Sequence, residues 1–249
     1  MAGMLMKVLL TNDDGIDASG LQALHDSIRF ACGDAVDILV VAPDRGRSEC
    51  GHSVTTRRPL KIEERQQGWI SVDGTPVDCV RVALGMMDRD FDLVLSGVNA
   101  GANLGIDLLV SGTFAAAREA AVSGIPAMAV SHYRRPDVPA TWDHVPAWLT
   151  PTLHDFCRRV EQVSRSRSET DNAMLWNVNL PAIQPDTRLP PVVRCGVDTE
   201  PMERHAVLDG KQMRFDSDFH GRPREMGRDV DQCFRGNITI SECERPFAL

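Results

Sequence analysis

The 249-residue chain has no C-x-x-C pair, no apolar run of membrane-spanning length and no surplus of positive charge. Its seven cysteines, Cys32, Cys50, Cys79, Cys157, Cys195, Cys233 and Cys243, are scattered and odd in number. That pattern fits reduced thiols in a cytosolic protein, each expected to pack as a small buried hydrophobe. With no signal-peptide core and cleavage site at the N-terminus, the chain reads as cytoplasmic, without a membrane partner. A formal net charge of −8 argues against a nucleic-acid polymer as partner, because such binding depends on clustered Lys and Arg. A small phosphate ligand stays compatible, since one metal ion and a few local donors outweigh the global field. What the chain does have is length and 43% hydrophobic residues, enough for one large α/β domain or a core with a smaller appendage.

The chain is organised around Lys7-Val8-Leu9-Leu10-Thr11-Asn12-Asp13-Asp14-Gly15, where an apolar run stops on two adjacent carboxylates and a glycine. Val8 to Leu10 lack polar alternation, as in a central parallel strand covered on both faces. Side chains of successive strand residues point to opposite faces, so Asp13 and Asp14 serve one site only if the strand has ended and the backbone turns, which Gly15 permits. Two carboxylates so close repel each other, and a divalent cation keeps both ionised; oxygen ligands favour Mg²⁺, Mn²⁺ or Ca²⁺ over zinc. An isolated Asp-Asp-Gly is more often a surface turn. This one lies beyond the carboxyl end of a strand, where open α/β sheets hold their ligands.

Asp17-Ala18-Ser19 supplies N-cap candidates for a helix carrying Leu21, Leu24 and Ile28, and Asp37 to Pro43 is a second apolar strand. The polar loop 44–53 should open on the same crevice. Residues 59–73 alternate around Gln66-Gln67-Gly68 as a small hairpin, and Thr75-Pro76-Val77-Asp78 starts a helix with Val77, Val80, Leu84 and Met87 inward. Asp78 reads as a capping acid. Phe91 to Leu95 form a buried strand that empties into Ser96 to Gly105, where three glycines and two asparagines let backbone approach a ligand. Asn99 and Asn103 either lend a carbonyl oxygen to the cation or only tolerate left-handed turn geometry, and spacing does not separate the two. Ser111-Gly112-Thr113 opens an alanine-rich helix closed by Gly124, with an N-terminus suited to an anion or to plain capping. Pro126 to Ser131 is a further strand. A helix is expected from Val145 to Val163 with Pro151 marking a break, then a solvated linker over Ser164 to Ser168, and Leu175 to Leu180 as the last strand of the main sheet. Short strands alternating with helices predict a mostly parallel doubly wound sheet. Beyond Ile183 only Asn237 to Ile240 reads as a firm strand, so the tail is expected to form an arm or hairpin packing on the core or another subunit; His205 and His220 within it lack a partner at metal spacing.

Five ordered stretches resemble the SurE family of metal-dependent nucleotidases: Thr11 to Gly15, Ala42 to Ser48, Gly74 to Cys79, Ser96 to Gly105 and Ser111 to Thr113. The resemblance runs over residues 6–131 and more weakly to about 185. It implies a Rossmann-like three-layer α/β/α core over residues 4–185, with a C-terminal extension over 186–249 serving oligomerisation, as homodimer or homotetramer. It implies hydrolysis of nucleoside 5'-monophosphates, with 3'-monophosphates and short polyphosphate as further substrates, and one divalent ion, Mg²⁺ or Mn²⁺, on Asp13, Asp14, Ser48 and Asn99. Asp13, Asp14 and Asn99 are the expected catalytic residues, and Asn12, Ser53, Asn103, Ser111, Gly112 and Thr113 the expected phosphate and substrate contacts. Val110 replaces the Tyr usual before Ser-Gly-Thr, His52 replaces a common Asn, and the tail stops early.

Two rivals come from other classes. A phosphoacceptor signalling module also pairs acids after its first strand, but it needs a third Asp at the end of a later strand, where this chain has Ala42-Pro43-Asp44 and a glycine-rich loop. A non-catalytic nucleotide-binding protein would be expected to have lost Asp13, Asp14 or Asn99.

Overall fold

A computed structural model describes residues 5–86, 90–166, 174–185, 188–203, 205–216 and 218–243. Met87, Arg167 and Ser168, which carried expectations above, lie outside them, as does the end of the tail. The central layer is a nine-stranded sheet built from β1 (Met6–Thr11), β2 (Val36–Pro43), β3 (Ile62–Gln66), β4 (Trp69–Val72), β5 (Leu93–Asn99), β6 (Ala127–His132), β7 (Leu175–Leu180), β8 (Val192–Arg194) and β11 (Ile238–Glu242). Its order is β3-β4-β2-β1-β5-β6-β7-β11-β8. All pairs from β4 to β7 are parallel; β3 and β11 run antiparallel to their neighbours β4 and β7. β9 (His205–Asp209) and β10 (Gln212–Asp216) form a separate antiparallel hairpin.

Alternation along β1 sorts the core into two halves. Val8 and Leu10 join Leu21, Leu24 and Ile28 of α1 (Ser19–Cys32) and Trp148, Leu149, Leu153 and Phe156 of α4 (Val145–Ser166) on one face. Leu9 joins Cys79 and Val80 of α2 (Pro76–Met86) and Phe114, Ala116 and Ala120 of α3 (Gly112–Val122) on the other. Each large side chain fully buried this way contributes about 1.5–3 kcal/mol. The sequence-predicted stripes of α1 and α4 are those observed, and the three-layer α/β/α sandwich is as expected. On α2, Ala83 is buried where Leu84 is only partly so.

Local chemistry sets several boundaries. Thr75 caps α2 reciprocally with Asp78: Asp78 N donates to Thr75 Oγ1 at 3.1 Å and Thr75 N to Asp78 Oδ2 at 2.9 Å. α1 has no such cap; its N-cap is Ala18, without a side-chain bond, rather than Asp17 or Ser19. α4 continues through Pro151 without the expected break, to Ser166. Proline inside a helix costs about 3 kcal/mol, less than the burial gained by the Trp148, Leu149, Leu153 and Phe156 stripe on both sides of it. The supposed linker thus begins as the last turn of this helix.

Two strand expectations need correction. β5 does not empty at Ser96 but runs to Asn99, with an irregularity against β6 between Ser96 and Asn99. Gly97, at φ +135°, makes this possible, because a Cβ there would lie 2.1 Å from the Val130 carbonyl oxygen. Nor is β7 the last strand: β11 pairs beside it, with β8 beyond, so the tail returns to the main sheet before the chain ends. The expected hairpin is present as β9 and β10, which form a sheet of their own.

Candidate active site

Where β1 ends, Asn12 turns the chain. Its Nδ2 donates to the Gly15 carbonyl at 2.9 Å and Gly15 N donates back to Asn12 Oδ1 at 3.2 Å, so this buried side chain is spent on the turn. The turn releases the two acids from strand alternation. Asp13 faces α3: Thr113 Oγ1 donates to its Oδ1 at 2.5 Å, and the Thr113 main-chain amide bonds it as well. Gly112 lies flat against the same carboxylate, where a Cβ would stand 2.9 Å from Asp13 Oδ2. Asp14 faces the loop after β5, its Oδ2 accepting from Ala100 N at 3.1 Å. The Asp13 carbonyl accepts from Arg47 N at 2.7 Å, which brings the loop after β2 to the same place. Gly15, at φ +105°, packs so closely on Arg45 that a Cβ would come within 2.9 Å of its carbonyl carbon.

Asp13 is 4% exposed. Burial pushes its carboxyl up to about 6, the neighbouring Asp14 charge adds to the rise, and the Thr113 hydroxyl opposes it. A site that holds this pair anionic at neutral pH gains from a positive charge between them. Near them Asn99 anchors its Nδ2 on the Gly101 carbonyl at 2.9 Å, and the exposed Ser48 follows directly on the tethered Arg47. Two carboxylates, an amide oxygen and a hydroxyl would, if brought together, offer an all-oxygen donor set suited to a hard divalent cation. Among the described residues no three His, Cys, Asp or Glu side chains meet in a metal-binding group.

The remaining expected contacts divide. Ser111 is the N-cap of α3, its Oγ accepting from Phe114 N at 3.0 Å while keeping its own proton to donate. Ser53 is exposed on the outer part of its loop, and its carbonyl takes the Thr75 hydroxyl at 2.7 Å. Asn103 is turned inward. Its Nδ2 donates to Ser131 Oγ at 2.7 Å, its N donates to Asn179 Oδ1 at 3.0 Å, and its carbonyl accepts from Asn177 and Asn179 Nδ2 at 2.9 Å each. This buried network pins the glycine-rich loop to β6 and β7. Asn177 and Asn179, two residues apart in an otherwise apolar strand, were the sequence signal for it.

Sequence reading also missed the surroundings of His52. Arg118 Nε donates to its Nδ1 at 3.0 Å, its Nε2 donates to Glu119 at 3.3 Å, and Arg81 reaches Glu119 at 2.6 Å. Burial and the Arg118 charge lower the His52 pKa. Arg118 and Glu119 are the only charges in α3, which was the available clue. Asp44, the acid a phosphoacceptor would need near the pair, is exposed and bridged to Arg47 at 2.8 Å. A cavity of about 1000 Å³ lies across the β1–α1 loop, on the α1 and α4 side, between Trp69 and Trp142. Its charges are Asp17, Asp26 and Asp143 against Arg65, and neither acid of the Asp13–Asp14 pair lines it.

The family model described as survival protein SurE matches residues 8–199. The chain is 36% identical over 242 residues to the 5'-nucleotidase SurE of Paramagnetospirillum magneticum, covering 95% of this chain and 88% of the relative. It is 40% identical over 191 residues to the 5'-nucleotidase SurE of Variovorax paradoxus, covering 76% and 70%. The crystal structure of the SurE protein from Aquifex aeolicus superposes with a TM-score of 0.76 at 28% identity, over 97% of this chain and 94% of that one.

Proposed function

The chain belongs to the survival protein SurE family, and from that premise we propose that it is a metal-dependent 5'-nucleotidase releasing nucleoside and phosphate from nucleoside 5'-monophosphates. Nucleoside 3'-monophosphates and short polyphosphate fall within the proposed range. The observation that carries the reading is the meeting of Asp13 and Asp14 with the first residues of α3 and the Asn99-Ala100 end of β5.

Asp13, Asp14, Ser48 and Asn99 would hold one Mg²⁺ or Mn²⁺, which when bound supplies Lewis acidity to the phosphoryl oxygen and acidifies a water. Thr113 fixes the Asp13 carboxylate, and Ala100 N orients Asp14. Ser111 Oγ–H and the Gly112 amide, at the positive end of α3, bind phosphoryl oxygens and stabilise charge that grows in the transition state. Asn12 and Asn103 act from beneath, by shaping the two loops. The phosphoacceptor reading finds no support at Asp44.

We also propose a homodimer or homotetramer assembled through the β9–β10 hairpin. Leu208, Met213 and Phe215 are 66%, 59% and 67% exposed and share one face with Ala206, since Leu208 stands opposite Met213 and Ala206 opposite Phe215. A two-stranded hairpin detached from the sheet is marginal alone and gains from a second copy. The chemistry is tested with nucleoside 5'- and 3'-monophosphates assayed with Mg²⁺, with Mn²⁺ and after exhaustive chelation. Phosphate release that survives both chelation and Asp13→Asn would overturn the metal role.

A further inference from the structure

The polar loop after β2 is tied down at more than one point. At its start Arg47 N donates to the Asp13 carbonyl at 2.7 Å. Two successive turns then carry the chain onward: Cys50 N donates to the Arg47 carbonyl at 3.0 Å, and Ser53 N to the Cys50 carbonyl at 3.1 Å. Ser48 lies in the first turn and His52 in the second. Gly51, at φ +51°, brings the second turn so near the start of α3 that a Cβ there would stand 3.4 Å from the Val110 carbonyl oxygen, one residue before Ser111.

His52 makes this approach a fixed one. Arg118 Nε and Nη2 both point at His52 Nδ1, at 3.0 and 2.7 Å. A guanidinium only donates, so Nδ1 is the acceptor, the ring is neutral and its proton sits on Nε2. Nε2 donates to Glu119 Oε2 at 3.3 Å, and Arg81 Nε holds Glu119 Oε1 at 2.6 Å. Exposed charge pairs contribute little. The Glu119 side chain, however, is only 12% exposed, and the bonds join a loop to a helix 66 and 67 residues further along the chain.

We propose, resting on the nucleotidase reading, that His52 is a positioning residue: by locking residues 47–53 to Arg118 and Glu119 of α3 it keeps Ser48 within reach of the acid pair and the divalent ion. His52 acts through the loop and touches neither substrate nor reacting atoms. Without it the loop keeps its Arg47 tether but gains freedom in the two turns beyond, and metal binding must then order them. Arg118 and Glu119 stand on the helix whose first residues are Ser111, Gly112 and Thr113, so the same lock fixes the loop relative to the phosphate contacts.

Full-length wild type, His52→Ala, His52→Asn and Arg118→Ala, matched by circular dichroism, are titrated metal-free with Mn²⁺ by calorimetry and compared by amide hydrogen exchange. His52→Ala is expected to bind Mn²⁺ about 10-fold more weakly, the loss of one hydrogen bond to a charged group. Its Cys50 and Ser53 amides should exchange about 10-fold faster, while those of β1 and β5 stay protected. Half-maximal hydrolysis of a nucleoside 5'-monophosphate should need correspondingly more Mn²⁺, with kcat at saturating Mn²⁺ within about 3-fold of wild type. A merely structural part would lower kcat without moving the Mn²⁺ dependence. His52→Asn sets an oxygen where Nδ1 accepts from Arg118 and should recover most of the affinity. Arg118→Ala should match His52→Ala, and the double variant should be no worse than either, because each breaks the same anchor. Arg118→Ala also decides the matter if His52→Ala does not fold. Unchanged Mn²⁺ affinity in these variants, beside a wild type that binds Mn²⁺, overturns the positioning role and leaves the nucleotidase reading standing. A wild type that binds no Mn²⁺ overturns the proposal, and one that also releases no phosphate overturns the nucleotidase reading with it.

Discussion

Asp13, the buried acid of the proposed site, works against the fold that holds it when it is ionised. Between pH 3.8, its ordinary value, and about 6, the folded protein keeps a proton there that the unfolded chain has already lost. Stability from this group therefore falls as pH rises through that window, and above it the whole penalty is present, on the order of 2–3 kcal/mol for a shift of about two units. Asp13→Asn keeps an oxygen to accept from Thr113 but never ionises. Metal-free Asp13→Asn is expected to be more stable than wild type by that order at pH 8 and equal to it near pH 4, measured by urea denaturation with chelator present. Activity should fall at least 1000-fold at the same time. A variant less stable than wild type at pH 8 would contradict this account of the site. Thr113→Val removes the hydroxyl donor while keeping the side-chain volume, and is expected to lower kcat about 10- to 100-fold, with Thr113→Ser restoring most of it.

Among the elements, the glycine-rich loop after β5 and the β9–β10 hairpin make opposite demands. The loop is held by polar groups inside the molecule. Asn179→Leu strands Asn103 N and removes one donor to its carbonyl, so a loss of about 2–4 kcal/mol is expected in denaturant titration, with reduced turnover as the Asn99 end loosens. The hairpin keeps its apolar side chains outside. Leu208→Asp with Phe215→Asp should therefore leave the circular dichroism spectrum unchanged while light scattering reports a smaller particle. An unchanged particle mass would remove the hairpin from the interface.

At the scale of the whole molecule, His132 and His144 contribute acid sensitivity. His132, at the end of β6, lies 2.7 Å from His144 Nε2 through its own Nε2 and donates through Nδ1 to the Tyr133 carbonyl at 2.9 Å. Burial, helped by Arg134, lowers His132 to about 3 and His144 to about 4. Below pH 6.5 the unfolded chain takes up two protons that the folded protein refuses, so stability is lost as pH falls towards 4. Asp13, between 6 and 3.8, and Asp229, raised by burial, oppose this, while His52, lowered by burial and the Arg118 charge, adds to it, so three histidines act against two carboxylates. The urea midpoint should fall steadily from pH 7 to 4.5, and His132→Asn should flatten the slope even if it lowers the plateau. A wild-type midpoint that stays level over this range would be the contrary result.

The sequence alone determined the alternation of short strands and helices, the inward stripes of α1 and α4, the cap at Thr75, and the loops that crowd the ends of β1, β2 and β5. Those features follow from side-chain period, turn chemistry and capping, which act over a few residues. Only the tertiary structure decided that Asn12 and Asn103 face inward while Asp13 and Asp14 face the start of α3 and Ala100 N. It also decided that α4 runs through Pro151 and that the tail re-enters the sheet as β11. Each of these turns on a partner distant in sequence, often a backbone amide that any residue could supply, and local pattern carries no trace of such a partner.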